Sequence, residues 1–301
     1  MFIIKLLKRL YWGGYDIYYK TLTRISPRLN TIVKYHEKFH AYPNLTNPTS
    51  FNEKLLKLKL EQYNKSPLVK QCADKYAVRK YVTDKGLAHL LVPLIAVYDK
   101  PEDIEWNRLP NRFVLKWNFG CHLNIICKDK SSFNVNQAIS ILKKWKHSTN
   151  HLLHSEMQYE IPSKEKKIIV EEFLDNGTGE SPEDTKIYCY NGRPLYIMIC
   201  YDRKESGAAK YIYFDRNWQF QPFDKENQKL PIGFNPSKPK ILDELLEYAG
   251  ILSKGFPFVR VDFYVINDKI YLGELTFTPC GCMDQAITAE ANQILGKQIE
   301  L

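Results

Sequence analysis

The sequence lacks paired cysteine motifs. Its seven cysteines are an odd number, and none of them belongs to a CxxC pair. The Cys280-Gly281-Cys282 segment is too short for the usual spacing of zinc ligands. We therefore expect neither a disulfide framework nor a structural zinc site, and a reducing cytoplasm is the natural compartment.

Long apolar runs are also absent. No stretch approaches the ~20 apolar residues that are needed to span a bilayer. The N-terminal segment MFIIKLLKRLYW is interrupted by Lys5, Lys8 and Arg9, and no small-residue cleavage site follows it, so a signal peptide is not predicted. The segment can form a basic amphipathic helix at the inner face of a membrane or a helix packed on the protein itself, and the second alternative is favoured.

The chain carries no zinc-finger or RNA-recognition sequence, although its formal net charge is +9. A positive excess of this size favours acidic partners such as nucleotides, nucleic acid, acidic glycans or an anionic membrane. Because the nucleic-acid motifs are missing, nucleic acid is not expected as a partner. A well-solvated basic surface without a dedicated partner is the alternative.

Apolar periodicity predicts a mainly helical first part and a mixed second part. Ser50 is a candidate helix N-cap with Glu53 in the capping-box position, and further helices are predicted over 67–84, 135–146 and 240–253. The predicted strands are 113–116, 124–128, 168–173, 186–190, 195–201, 211–214, 258–265 and 269–275. This mixture, with short turns between several strands, predicts an α+β fold built on antiparallel hairpins.

The most informative stretch is FVRVDFYVINDKIYLGELTFTPCG, residues 258–281. It predicts two strands joined by a turn at residues 267–268. In such a hairpin, residues on the two strands are paired when their numbers sum to about 535. Asp262 and Glu274 then face each other and repel, and a Mg²⁺ ion shared with phosphate oxygens would remove this repulsion. Arg260 is predicted on the same face as Asp262, where it can bind phosphate or a charged intermediate. The alternative is an Arg-Asp ion pair at a solvated sheet edge.

Two lysines are candidate phosphate ligands. In FVLKWNFGCHLNIICKDK, residues 113–130, a strand delivers Lys116 into a loop whose backbone N–H groups can lie over phosphates. Lys186 begins a later strand, with Asp184 two residues earlier on the same face. The alternatives are an exposed lysine on a hairpin and a surface Asp-Lys pair.

The segment KKIIVEEFL, residues 166–174, predicts a strand that leaves one lobe for another. Its backbone beyond Glu171 and Glu172 can bind an adenine edge, with Phe173 and Leu174 packed on the ring. The alternative is a strand end with solvated acids.

The order of these features resembles the ATP-grasp superfamily. The segments NPTSFNEKLLKLKL, ADKYAVRKYV, the Leu109-Pro110 step before FVLK, RVDFY and GELTFTP together resemble its TupA-like branch over roughly residues 45–301. That branch is associated with teichuronopeptide and surface-polysaccharide biosynthesis.

The resemblance implies an ATP-grasp fold of two α+β lobes that clamp MgATP. The expected layout is a helical region 1–65, a helix and linker 66–112, a first lobe 113–174 and a second lobe 175–301. The residues carried over are Lys116 and Lys186 for the phosphates, Glu171, Phe173 and Leu174 for the adenine, and Asp262, Glu274 and Thr276 for Mg²⁺. Glu172 and Asp184 are their neighbours and are also expected to belong to the cofactor site. Two positions depart from the family pattern. The family has Asn where this chain has Thr276, and it has a glycine-rich phosphate loop where this chain has residues 119–122.

The implied activity is an ATP-dependent carboxylate-amine ligase that forms an amide through an acylphosphate. Lys186 and Arg260 are the expected catalytic residues, and Arg260 would stabilise the acylphosphate or tetrahedral intermediate. The implied substrates are a uronic acid or other acidic residue of a surface glycan, and an amino acid or other amine. One alternative is a glycosyltransferase, which would need an Asp-x-Asp motif that the chain lacks. The other is a non-catalytic nucleotide-binding or membrane-docking scaffold.

Overall fold

The computed structural model describes residues 2–121, 123–177, 184–203, 209–230 and 236–301, without the side chains of 2–12, 201–203, 209 and 228–229. Residues 181–183, which directly precede Asp184 and Lys186 in the sequence, therefore lie outside the described residues. So do the side chains of the N-terminal basic segment.

The N-terminal region is helical, as predicted. Helix α1 spans Phe2–Ile25, α2 spans Pro27–Phe39 and α3 spans Phe51–Leu58, and a π-helical turn follows over Lys59–Tyr63. The predicted capping box is present, because the backbone N–H of Glu53 donates to the Ser50 side chain and the Glu53 carboxylate accepts from the backbone N–H of Ser50. The buried Tyr63 hydroxyl donates to the Phe258 carbonyl at 2.8 Å, which fixes this region to the C-terminal half of the chain.

The helix predicted over 67–84 is two helices. Helix α4 spans Pro67–Ala73 and α5 spans Val78–Asp84. Between them the Asp74 carboxylate accepts two backbone N–H groups, at 2.7 and 3.0 Å. Such local side-chain bonds compete with the helical pattern, and apolar periodicity does not reveal them.

Four antiparallel strands form a first sheet in the order β1–β4–β2–β3. The strands are β1 Leu94–Tyr98, β2 Phe113–Trp117, β3 Asn124–Cys127 and β4 Ile168–Glu172. Strand β1 was not predicted. Helix α6, Val135–Lys146, packs on this sheet, where the indole N–H of the fully buried Trp117 donates to the Leu142 carbonyl at 3.1 Å.

Six antiparallel strands form the second sheet in the order β10–β9–β5–β6–β7–β8. The strands are β5 Asp184–Tyr190, β6 Arg193–Arg203, β7 Ala209–Asp215, β8 Phe220–Gln221, β9 Val259–Ile266 and β10 Lys269–Thr276. Helix α7, Leu242–Ser253, covers one face and completes the main core with Val261 and Phe263 of β9. The short β8 and helix α8, Ala289–Lys297, were not predicted. The opposite face of this sheet carries the candidate site.

Two predicted hairpin turns are confirmed. Asn191 and Gly192 have φ angles of 48° and 80°, and Asn267 and Asp268 have φ angles of 50° and 61°. Two consecutive left-handed residues are typical of the two-residue turns that join antiparallel strands. The second turn fixes the register of β9 against β10.

A β-bulge at Gly273 completes that register. The pairing shifts by one residue between Leu272 and Glu274, so that Glu274 lies opposite Asp262, as predicted. A Cβ atom on residue 273 would lie 3.1 Å from the Asp262 carbonyl and 3.2 Å from the Tyr264 ring. The close approach explains why this position in the bulge is glycine.

Candidate active site

Asp262 is the centre of a buried charged cluster on β5 and β9. It is only 2% exposed, and Arg260 donates to it through Nε and Nη2 at 2.7 Å each. Lys186 Nζ lies 2.8 Å from Asp262 Oδ2 and 3.2 Å from Asp184 Oδ2. The two ion pairs suggested by the sequence are thus joined into one cluster, and it is buried in the sheet interior, not at a solvated edge.

The groups of this cluster stabilise one another's charged forms. Burial by itself would raise the pKa of Asp262, but the Arg260 guanidinium and the Lys186 ammonium outweigh it and hold that pKa below its usual range. Burial would likewise lower the pKa of Lys186, yet Asp262 raises it. The repulsion between Asp262 and Glu274 that the sequence suggested is therefore offset by protein cations, and it does not require a metal ion.

Glu274 and Thr276 extend the cluster along β10. The Thr276 hydroxyl donates to Glu274 Oε1 at 2.9 Å, and Arg260 Nη2 lies 3.3 Å from Thr276 Oγ1 and 3.8 Å from Glu274 Oε1. The three predicted metal residues therefore all lie next to Arg260. Since the Glu274 side chain is 47% exposed while Asp262 is enclosed, Glu274 is the carboxylate with oxygen surface open to a ligand.

Lys116 and Glu171 form a second charged group on the first sheet. Lys116 Nζ lies 2.7 Å from Glu171 Oε2, across strands β2 and β4. Arg79 Nη1 lies 3.5 Å from Glu171 Oε1 and donates to the Val92 carbonyl at 3.0 Å. The buried Glu171 carboxylate thus holds two cations in place, so any contact of this residue with adenine would involve its backbone.

The remaining residues assigned to the adenine lie at the end of β4. Glu172 is exposed, Phe173 is buried and Leu174 is half-buried. The Arg112 guanidinium lies 4.3 Å from the centre of the Phe173 ring. Their contact with adenine stays a prediction.

Lys75 is a cation that the sequence analysis did not assign to the site. Its ammonium donates to the Gly120 carbonyl, and its backbone N–H donates to the Asn118 carbonyl at 2.9 Å, which ties it to the loop after Lys116. Burial lowers the pKa of Lys75, and the Glu274 carboxylate opposes this effect. Lys75 and Arg79 both belong to the quoted segment ADKYAVRKYV. Their spacing of four residues, which puts two cations on one side of a helix, was the available signal.

Tyr264 of β9 is a further residue near these charges that was not assigned to the site from the sequence. Burial raises its pKa, and four carboxylates raise it further, those of Asp184, Glu274, Asp262 and Glu171. Glu171 belongs to the first sheet and the other three to the second. Carboxylates from both sheets therefore act on the Tyr264 hydroxyl.

This set of groups fits MgATP. Among the described residues, no three or more His, Cys, Asp or Glu side chains are grouped so that they could hold a metal ion by themselves. Mg²⁺ at nucleotide sites commonly takes one or two carboxylates and completes its shell with phosphate oxygens and water. Glu274 and the Thr276 hydroxyl offer such oxygens, and the cations around them match phosphate charge.

A family model described as TupA-like ATPgrasp matches residues 53–300, most of the chain. This chain belongs to the TupA-like ATP-grasp family. The ATP-grasp fold and the use of ATP, both predicted from the sequence, are thereby confirmed, and Mg²⁺ is the ion that commonly accompanies ATP at such sites. No curated protein matches the chain.

Solved structures resemble this TupA-like protein distantly. The D-alanine–D-alanine ligase from Bacillus anthracis complexed with ATP is 16% identical, with a TM-score of 0.44, over 77% of this chain and 66% of that one. The L-amino acid ligase from Bacillus licheniformis is 14% identical, with a TM-score of 0.43, over 81% and 54%. The D-cycloserine synthetase DcsG is 14% identical, with a TM-score of 0.41, over 78% and 72%. The chain thus spans less than two thirds of the first two proteins.

Proposed function

We propose that this TupA-like ATP-grasp protein is an ATP-dependent carboxylate-amine ligase. The observation that best supports the proposal is the cluster around Asp262, in which Lys186, Arg260, Glu274 and Thr276 share one sheet face. Such a site positions reactants and neutralises charge, which is what phosphoryl transfer requires of a protein. The products would be an amide, ADP and phosphate, with an acylphosphate as the intermediate.

Each group has a role that follows from its surroundings. Lys116 and Lys186 would bind phosphate oxygens, and both are held by carboxylates that keep them ordered. Glu274 and Thr276 would hold Mg²⁺, which supplies positive charge against the phosphates.

Arg260 is the proposed stabiliser of the intermediate. It commits Nε and Nη2 to Asp262, and a guanidinium has five N–H donors. Donors therefore remain for the negative charge that develops when the acylphosphate forms and when the amine attacks it. Because Asp262 fixes the guanidinium, little reorganisation is needed at that moment.

For the substrates we propose a uronic acid or another acidic residue of a surface glycan or its precursor, together with an amino acid or other amine. The TupA-like family supports this choice through its association with surface polysaccharide, and a net charge of +9 suits an acidic partner. The dependence on ATP supports a cytoplasmic location.

The test is ADP release against a panel of uronic acids and amines. We expect release that requires both an acid and an amine, with the amide detected by mass spectrometry. Glu274→Gln should abolish it, while Glu61→Gln, an exposed acid on the π-helical turn, should not. Sugar transfer from a nucleotide sugar would instead indicate a glycosyltransferase, and MgATP binding without turnover on any pair would indicate a scaffold.

A further inference from the structure

Helix α1 and the start of α2 expose large apolar side chains, and the helical period of 3.6 puts Ile17, Tyr18 and Ile25 within ~100° of one another on one side of α1. Ile17 is 68% exposed, Tyr18 53%, Ile25 73% and Leu29 44%. We call these four residues the α1 face. Single exposed apolar residues are ordinary, but a group of neighbours indicates a contact surface.

The other side of α1 is fixed to the protein. The buried Thr23 hydroxyl donates to the Leu152 carbonyl at 2.6 Å, and the buried Tyr19 hydroxyl donates to Glu37 at 2.6 Å. Because these contacts hold the helix in one orientation, the α1 face cannot turn inward. The described part of α1 therefore packs on the protein body and also presents an apolar surface.

The charges around the α1 face are basic. Arg24 and Arg28 are exposed, and Asp16, whose side chain is 44% exposed, is the one acid between positions 13 and 29. The charged residues of the first 29 positions are Lys5, Lys8, Arg9, Lys20, Arg24 and Arg28 against Asp16. Asp16 lies 3.8 Å from Lys20, within the helix. Exposed apolar residues bordered by Lys and Arg are typical of helices that lie in the interface of anionic bilayers.

We propose that the α1 face docks on the surface of an anionic phospholipid bilayer, with Arg24 and Arg28 against the headgroups. No helix among the described residues is long and apolar enough to cross a membrane, so the docking is peripheral. The family match begins at residue 53, so this surface precedes the matched part of the chain. The proposal does not depend on the ligase activity.

Vesicle binding tests the proposal. The full chain is sedimented with vesicles of phosphatidylcholine alone and of phosphatidylcholine mixed with phosphatidylglycerol. We expect binding to the mixed vesicles that weakens with salt, and about tenfold or greater loss in the variant Ile17→Ser/Ile25→Ser, because both side chains would leave the apolar interface. Arg24→Gln/Arg28→Gln should lose the preference for the anionic lipid.

The matched control is Leu68→Ser/Ile126→Ser, since these residues are 41% and 38% exposed away from the α1 face. Its binding and its melting temperature should equal those of the wild type. The proposal would be overturned if the wild type did not bind the mixed vesicles. It would also be overturned if the control Leu68→Ser/Ile126→Ser lost as much binding as Ile17→Ser/Ile25→Ser. So would self-association that the Ile17→Ser/Ile25→Ser variant abolishes, because the occupant would then be a second copy of the chain.

Discussion

The substitution Asp262→Asn removes the charge that holds Arg260 and Lys186. Asp262 accepts three charged hydrogen bonds, at 2.7, 2.7 and 2.8 Å, and is 2% exposed. Leaving buried cations without their partner costs about 3–5 kcal/mol, which for a chain of 301 residues corresponds to a melting temperature lower by about 5–8 °C. We therefore expect Asp262→Asn to lose both turnover and stability.

Glu274→Gln is the matched control, because the same chemical change is made at a side chain that is 47% exposed. Its unfolding free energy should stay within about 1 kcal/mol of the wild type, although turnover is lost. The assay is scanning calorimetry at neutral pH without nucleotide. Two results would refute the reasoning: an Asp262→Asn protein with the melting temperature of the wild type, or a Glu274→Gln protein that loses as much stability as Asp262→Asn.

Three further predictions concern single side chains. Lys116→Ala and Lys186→Ala should each weaken MgATP binding by about 1.5–3 kcal/mol, and unchanged affinities in titration calorimetry would contradict their phosphate role. Thr276→Asn should keep or improve activity across a Mg²⁺ titration, whereas normal MgATP binding with lost coupling to the acid would place Thr276 in the acceptor pocket. Burial lowers the pKa of Lys34 to about 8 from 10.5, so the unfolded chain binds its proton more tightly and stability should rise between these pH values. Lys34→Met should reduce that rise. A variant whose stability depends on pH in the same way as the wild type would contradict the prediction.

The hairpin that carries the predicted metal residues was predictable because neighbouring residues in the sequence determine its turn and its register. A two-residue turn at Asn267 and Asp268 fixes the register, and alternation then places Arg260 and Asp262 on one face. The bulge at Gly273 moved the pairing by one residue and brought Glu274 opposite Asp262.

The partners of these residues were not predictable in the same way. Glu171 meets Lys116 and Arg79 through strand and helix packing that joins distant parts of the chain, and no periodicity encodes such contacts. The position of Arg79 could not be predicted either, because the helix that carries it begins after the break at Asp74. That break depends on hydrogen bonds of a single side chain. Tyr264 fits the apolar pattern of its strand, so the carboxylates that act on it could not be predicted from the sequence.

The central claim is that the protein activates a carboxylate with ATP. The most direct measurement uses a carboxylate substrate labelled with heavy oxygen, and follows the label by mass spectrometry of the released phosphate. We predict that one labelled oxygen passes from the carboxylate to the phosphate when an amine is present, and that Glu274→Gln prevents this transfer. Amide formation with unlabelled phosphate would contradict the acylphosphate route.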